Sequence, residues 1–456
     1  MKCSNLLNLP DEIIIDILQL LSWHDLVKCS LTCSKFNYLC QNNSLWKHIT
    51  WYYWLENICP HGLSWYEYFY KLKKDWGKYM HCYKEIKTAW ISIELFLKDN
   101  TTTIYDSLKP GLLEEDLERI ENAIGYNLPL DFRCSYRIRN GQRLNAPGIL
   151  GSMEIGTHYI SEALLDLETL IQPAIWARSS LKGCLPVTVC VSTGVSQYMA
   201  LSSEDGHIPG SLFYPVDDRR ISNLSGDKDV FLTAINFQDW LTAHADKLKR
   251  SQYPIIKNEI YRFLPDPLNT TSTTNHIKVS VATCFCPELS SVNPPRFFYT
   301  YRITMTMDSN APKNDMYRLS SRHWLITDSE GREERVDGPG VVGEYPLMFA
   351  GTTYSWVSCT TFKTRVGYMQ GYFSMVKLNE SNNFAHGFSI NQLIENKNSV
   401  FKVTCPKFRM VCSLSITAGQ RRVGITNLSI IGNTDNDGDS DMDDAIGFQY
   451  DYDDNN

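Results

Sequence analysis

The sequence lacks most of the local signatures that would announce catalysis, metal binding, secretion or membrane insertion. Its 14 cysteines include no Cys-x-x-Cys pair, so neither a zinc ribbon nor a zinc finger is expected. No apolar run is long enough to cross a bilayer, which excludes a spanning helix. The first residues, Met1-Lys2-Cys3-Ser4-Asn5, lead into acidic Asp11-Glu12 before any long apolar run, so no secretory leader is expected. Scattered thiols without such a leader fit a reducing compartment, the cytoplasm or the nucleus. Lys71-Leu72-Lys73-Lys74 is too short to decide between them. His-Glu-x-x-His, Gly-x-Ser-x-Gly and P-loop motifs are all missing, and the ten histidines do not cluster. No catalytic residue, metal ligand or cofactor is therefore expected.

Acidity is unevenly spread. After Gly432 there are nine aspartates and no lysine or arginine, while the net charge of the whole chain is −7. Setting those nine aside leaves 42 acidic residues against 44 basic ones. The body thus has no basic excess of the kind that binds nucleic acid. Residues 433–456 read as a disordered, solvated acidic tail. Within it, oxygen-bearing side chains from Asn433 to Asp444, with Gly438 at the sixth position, imitate a calcium loop. The flanks carry no helical pattern, so the solvated tail remains the expectation.

At 456 residues the chain is too long for one core, and several domains are expected. The N-terminal part is helical. Pro10-Asp11-Glu12 opens a helix with proline and two acids in its first turn. Ile13, Ile14, Ile17, Leu18 and Leu21 recur at helical spacing as one apolar face. Asp25 can cap a second helix bearing Leu26, Val27, Cys29 and Leu31, and Ser34 a third bearing Phe36 and Leu39. Leu45-Trp46 closes the segment. Three helices over so short a stretch cannot bury all of this surface among themselves, so a partner or the following residues must cover the remainder.

The run from Leu9-Pro10-Asp11-Glu12-Ile13-Ile14 through Leu18, Leu21, Leu26, Cys29, Cys33 and Phe36 to Leu45-Trp46 resembles an F-box. In that family the helices dock on a Skp-type adaptor, which links to cullin and a RING subunit. The resemblance assigns residues 5–50 to the F-box. It makes Leu9, Pro10, Ile13, Ile14, Leu18, Leu26, Leu45 and Trp46 candidate adaptor contacts, some of which instead hold the bundle's own core. Residues 51–107 continue as an aromatic helical connector. Its stripe, including Trp65, Phe69, Trp76, Tyr83, Trp90 and Ile93, reads as core at helical spacing rather than as a groove.

Residues 108–250 mix helix and strand signals. Leu112 to Ile124, ended by Gly125, reads as an amphipathic helix, and Leu128-Pro129-Leu130 opens a second that ends at Arg139-Asn140-Gly141. Residues 185–191 and 197–201 read as strands, and Phe237-Gln238-Asp239-Trp240-Leu241 opens a closing helix. The Gly-x-x-Leu-Pro-x-x-Phe and Arg-Asn-Gly pieces resemble the SUKH superfamily, which implies an α/β protein-interaction fold and no chemistry.

From Ile277 the pattern alternates, as in Ile277-Lys278-Val279-Ser280-Val281, and predicts a β-sandwich. Gly338-Pro339-Gly340-Val341-Val342-Gly343 formally contains Gly-x-Gly-x-x-Gly. Proline interrupts it and strand pattern follows, so turns rather than a nucleotide cradle are expected. Cys284-Phe285-Cys286 places both sulfurs on one strand face and reads as core. Arg322-x-Trp324, the glycine run, Gly351-x-x-Tyr354-x-Trp356, Gly367-Tyr368-Met369-Gln370-Gly371 and Cys405-Pro406-x-Phe408 together resemble the ApaG domain, an immunoglobulin-like sandwich over residues 277–410. Residues 379–399 look like an insertion, and residues 411–432 like a β extension. Gly338, Pro339, Gly340, Glu344 and Tyr345 are candidate target contacts.

The fold expected is therefore multidomain α+β. The expected function is the substrate-recognition subunit of a cullin-type ubiquitin ligase, with targets held by the SUKH-like and ApaG domains. Neither nucleic acid nor membrane is an expected partner. The alternatives are a cullin-independent scaffold or a small-molecule or calcium sensor.

Overall fold

The proline and acids at residues 10–12 do start a helix in the computed structural model, α1 (Asp11–Leu18), with Pro10 just before it. The structure describes residues 6–153, 161–172, 181–190, 197–204, 206–216, 230–250, 253–265, 271–378 and 400–417. Helices α2 (Trp23–Ser30) and α3 (Ser34–Cys40) follow, each starting earlier in the chain than the sequence suggests. Ser22, not Asp25, caps α2. Its hydroxyl accepts from the Asp25 N–H at 3.2 Å and donates to the Asp25 carboxylate at 2.8 Å. Cys33 takes the cap position expected of Ser34, its sulfur accepting from the Phe36 N–H. Leu45-Trp46 does not end the bundle but begins a fourth helix, α4 (Asn43–Trp54), capped by Asn42.

Helices α5 (Trp65–Trp76) and α6 (Tyr83–Asn100) carry the aromatic stripe, and it is core as its spacing indicates. Phe69 sits among Trp23, Trp46 and Trp54 at ring-centroid distances of 6.0, 5.1 and 6.4 Å. Tyr83 stands edge-on to both Trp54 and Trp76. Leu95, on the second of these helices, faces away from that core and lies exposed.

Helix α6 also belongs to the middle domain. It packs on the helices Leu130–Ile138 and Phe237–Lys249. The Trp90 indole donates to the Ser135 hydroxyl at 2.9 Å, and Arg139 meets Glu94 at 2.8 Å. One apolar core consequently runs without a break from Ile14 to Ile260. The middle domain's sheet has the order Ser415–Thr417, Val230–Ala234, Leu212–Pro215, Tyr198–Ala200, Cys184–Pro186, antiparallel throughout. The single strand expected over residues 185–191 is two. Pro186 has no N–H for a ladder, and beyond it Thr188–Cys190 turns to pair with Glu162–Leu164.

The C-terminal domain is two five-stranded antiparallel sheets face to face. One is built on Ile277–Phe285, Phe297–Met307 and Thr353–Phe362. The other is built on Glu333–Pro339, Tyr317–Asp328, Val366–Lys377 and Val400–Val411. Alternate residues such as Val279, Tyr301 and Ile303 interdigitate with Trp324, Phe373 and Phe408. The sandwich is joined to the middle domain at several points. Tyr214 and Phe231 enter its core, and the chain returns after the last long strand to add Ser415–Thr417 to the middle sheet. The proposed insertion and the acidic tail lie outside the described residues.

Candidate adaptor and target interfaces

An eight-residue helix with isoleucine or leucine at positions 13, 14, 15, 17 and 18 is apolar nearly all round, so it needs cover on two sides. The structure resolves the single face expected from the sequence into two. Ile14 and Leu18 point inward, whereas Ile13 (46% exposed) and Ile17 (38%) face outward. The predicted adaptor contacts separate along the same line. Ile14, Leu18, Leu26, Leu45 and Trp46 are buried to 3% exposure or less and offer no surface to a second protein. Trp46 shows why: its indole donates to the Cys40 carbonyl at 2.6 Å, and its ring packs edge-on to Tyr66 at 4.9 Å. Leu9 is half-buried, and Pro10 is exposed beside Ile13.

The outward surface includes residues that the sequence reading passed over as contacts. Leu20 is 86% exposed, Leu31 82% and Tyr38 76%, and Leu6 is exposed as well. Ile13, Ile17 and Leu20 have spacings of four and three residues, one stripe of a helix and its immediate continuation. That periodicity was the available signal. Large apolar side chains this exposed, gathered on one small bundle, mark an interaction surface.

In the sandwich, the glycine run forms a hairpin end. Glu333–Pro339 pairs with Tyr317–Asp328, and Val341 and Glu344 exchange both backbone hydrogen bonds at 2.9 Å around Val342-Gly343. The Gly340 N–H donates to the Ser320 carbonyl. These N–H groups are therefore committed, and no helix follows, so the run does not cradle a phosphate. Gly338 and Gly340 serve the turn itself. The Arg322 guanidinium lies against Gly338 and donates to the carbonyls of Pro339 (2.9 Å) and Gly340 (3.1 Å). A Cβ on Gly338 would come within 2.9 Å of that guanidinium, and one on Gly340 within 2.5 Å of the Glu344 carbonyl. Of the predicted target contacts, Pro339 and Glu344 are exposed, Gly338 and Tyr345 half-buried, and Gly340 buried. Val342, at the tip, is 62% exposed.

Among the described residues, the reactive groups singled out in the sequence are structural. Cys284 and Cys286 are buried, and burial pushes the Cys286 thiol well above its ordinary pKa. His323 lies 2.6 Å from Asp337 and 2.9 Å from the Ser321 hydroxyl, the order of a hydrolase relay. Yet Ser321 sits in mid-sheet, paired with strands on both sides. Among the described residues, no three His, Cys, Asp or Glu side chains gather as a metal site.

Family profiles agree with this division. Residues 6–50 match the F-box-like family, residues 111–243 the SMI1 / KNR4 family (SUKH-1), and residues 287–377 the ApaG domain. A helical docking bundle with an outward apolar stripe, carrying two further domains, defines an F-box protein. Across all three domains the chain is 38% identical over 408 residues to F-box only protein 3 of Homo sapiens and, equally, of Bos taurus. The match spans 89% of this chain and 83% of each relative. The chain belongs to the F-box only protein 3 family. Its sandwich alone is 39% identical over 106 residues to Protein ApaG of Pseudomonas aeruginosa, which covers 23% of this chain and 81% of that protein.

Proposed function

We propose that this chain is the substrate-recognition subunit of a Skp adaptor–cullin–F-box ubiquitin ligase. The F-box docks on a Skp-type adaptor, which carries the cullin and RING subunits, and the SUKH-like and ApaG domains hold the target protein. The chain works as a receptor and not as a catalytic subunit. Its contribution to chemistry is proximity: a bound target is kept beside a charged conjugating enzyme, so that lysine attack on the thioester becomes effectively intramolecular. The cytoplasm and nucleus are the proposed locations, in keeping with free thiols such as those of Cys29, Cys33, Cys40 and Cys82.

The observation that carries this reading is the stripe of Ile13, Ile17 and Leu20, exposed on a bundle whose other face is locked by Trp46 and Phe69. The test is binding of the purified chain to a Skp-type adaptor. Tight binding by the parent is expected, with loss in an Ile17→Asp/Leu20→Asp variant that keeps the parent's melting temperature. A parent chain that does not bind the adaptor would overturn the proposal.

A further inference from the structure

The paired strands Val366–Lys377 and Val400–Val411 contain no aspartate or glutamate. Their inward residues, among them Phe373, Met375, Val403 and Phe408, fill the sandwich core. Alternation, shifted by one residue where Pro406 and Lys407 stand opposite Gln370, sends Lys402, Lys407 and Arg409 to the outer face, where all three are exposed. With 42 acids against 44 bases outside the tail, two paired strands whose charged residues are all cations are local clustering and not a general excess.

The two lysines are held in place. The Lys402 ammonium sits 4.3 Å from the Tyr372 ring centre, and that of Lys407 sits 4.7 Å from Tyr368. From the strand on the other side, His323 stacks on Tyr372 at 4.4 Å and 19°. His323 is in turn fixed by Asp337 at 2.6 Å and by the Ser374 hydroxyl at 3.1 Å. The neighbouring strand Thr271–Thr274 carries no charge, and it binds the backbone of Thr404 through Ser272 and Thr274.

Resting on the receptor reading, we propose that this outer sheet face is the docking surface for an extended acidic segment of the target protein. The match is one of charge and spacing. Lys407 and Arg409 are two residues apart on a strand, a repeat of about 7 Å. An extended chain with carboxylates at alternate positions has the same repeat. Single-stranded nucleic acid fits less well. Its bases need open aromatic faces, but Tyr372 lies between His323 and Lys402, and Tyr368 lies under Lys407.

The test uses the full chain and fluorescence anisotropy with a labelled peptide of alternating aspartate and serine. Oligothymidylate and phosphatidylserine vesicles are run in parallel. The peptide is expected to bind, and to bind more weakly as salt is raised. The variant Lys402→Glu/Lys407→Glu/Arg409→Glu is expected to bind it about tenfold or more weakly, with melting temperature and adaptor binding unchanged. Equal peptide binding by parent and variant, no peptide binding by the parent, or preference for the oligonucleotide or vesicles would overturn the proposal. Adaptor binding, read in the same samples, separates failure of this surface from failure of the receptor reading.

Discussion

Arg262 should be the side chain whose loss most weakens the junction between the middle domain and the sandwich. Its Nη1 lies 3.2 Å from a carboxylate oxygen of Glu162 and 3.2 Å from the Tyr214 hydroxyl, and its Nη2 lies 2.6 Å from Glu288. Glu162 comes from the middle domain, where Thr188, Gln197 and Tyr214 also donate to it. Glu288 comes from a turn of the sandwich, and both carboxylates are buried. Arg262→Met keeps the apolar stem but leaves the two buried carboxylates without the guanidinium between them. Breaking a buried ion pair from one side costs about 3–5 kcal/mol, against a total stability of about 5–15 kcal/mol for a typical domain.

The sign of the pH dependence follows from the same geometry. Burial raises the Glu162 pKa above its ordinary 4.5, and the Arg262 charge opposes that rise. In the variant the pKa climbs further. A carboxyl whose folded pKa exceeds its unfolded one favours folding fully below the unfolded value, and that contribution is lost as pH rises through the folded value. Arg262→Met should therefore recover more stability than the parent when pH is lowered from about 7.5 towards about 5. Urea unfolding followed by tryptophan fluorescence at both pH values reads the effect. Adding Glu162→Gln and Glu288→Gln to the variant should restore much of the loss, because the uncompensated charges are gone. A single variant within about 1 kcal/mol of the parent at neutral pH, or one with the parent's pH dependence, would refute the reasoning.

Three further outcomes are expected. Trp46→Ala should cost about 3–5 kcal/mol in chemical denaturation by emptying the junction of α4 and α5, whereas Ile17→Asp should stay within about 0.5 kcal/mol and still abolish adaptor binding. Val342 holds φ at +49° and Gly343 at +79° in a two-residue hairpin turn, a geometry that a β-branched residue resists. Val342→Gly should therefore stabilise the sandwich by about 1 kcal/mol in thermal melting. His244 is buried beside the Ile149 carbonyl, and burial, aided by Lys247, holds its pKa down to about 3. Its neutral form supports the fold above the ordinary value of 6.5 and loses ground as pH falls towards 3, so His244→Gln should flatten stability over that interval.

What could be read from the sequence was whatever local spacing determines. The helix ending at Gly125 and the long strands of the sandwich are such features, since φ of +77° at that glycine and strict alternation leave direct traces. The side of α1 that turns inward is not local. Ile13 and Ile14 differ by only 100° around the helix, and the choice is made by packing on α3, which brings Leu39 and Phe36 to the same core as Ile14 and Leu18. The role of Arg322 depends on its register opposite Gly338 across a hairpin. Arg262, Glu162 and Glu288 are separated by 100 and 26 residues, so no window of sequence brings them together. The split at Pro186 was legible in principle, because a proline in mid-strand removes a ladder donor.

The joints between domains bear directly on how a receptor of this kind can work. Proximity accelerates transfer only if the bound target stays within reach of the conjugating enzyme, and a slack linker lowers the effective concentration. Here the route from the exposed stripe of the N-terminal bundle to the sandwich passes through Trp46 on Phe69, Trp54 on Tyr83, Trp90 on Ser135 and Arg262 between Glu162 and Glu288. Each joint is a buried ring or a buried polar contact, and α6 serves two domains at once. Loosening a joint should then affect a different quantity from loosening a face. A face variant such as Ile17→Asp lowers affinity for the adaptor. A joint variant such as Arg262→Met should leave adaptor affinity intact and lower the rate at which a bound target is modified.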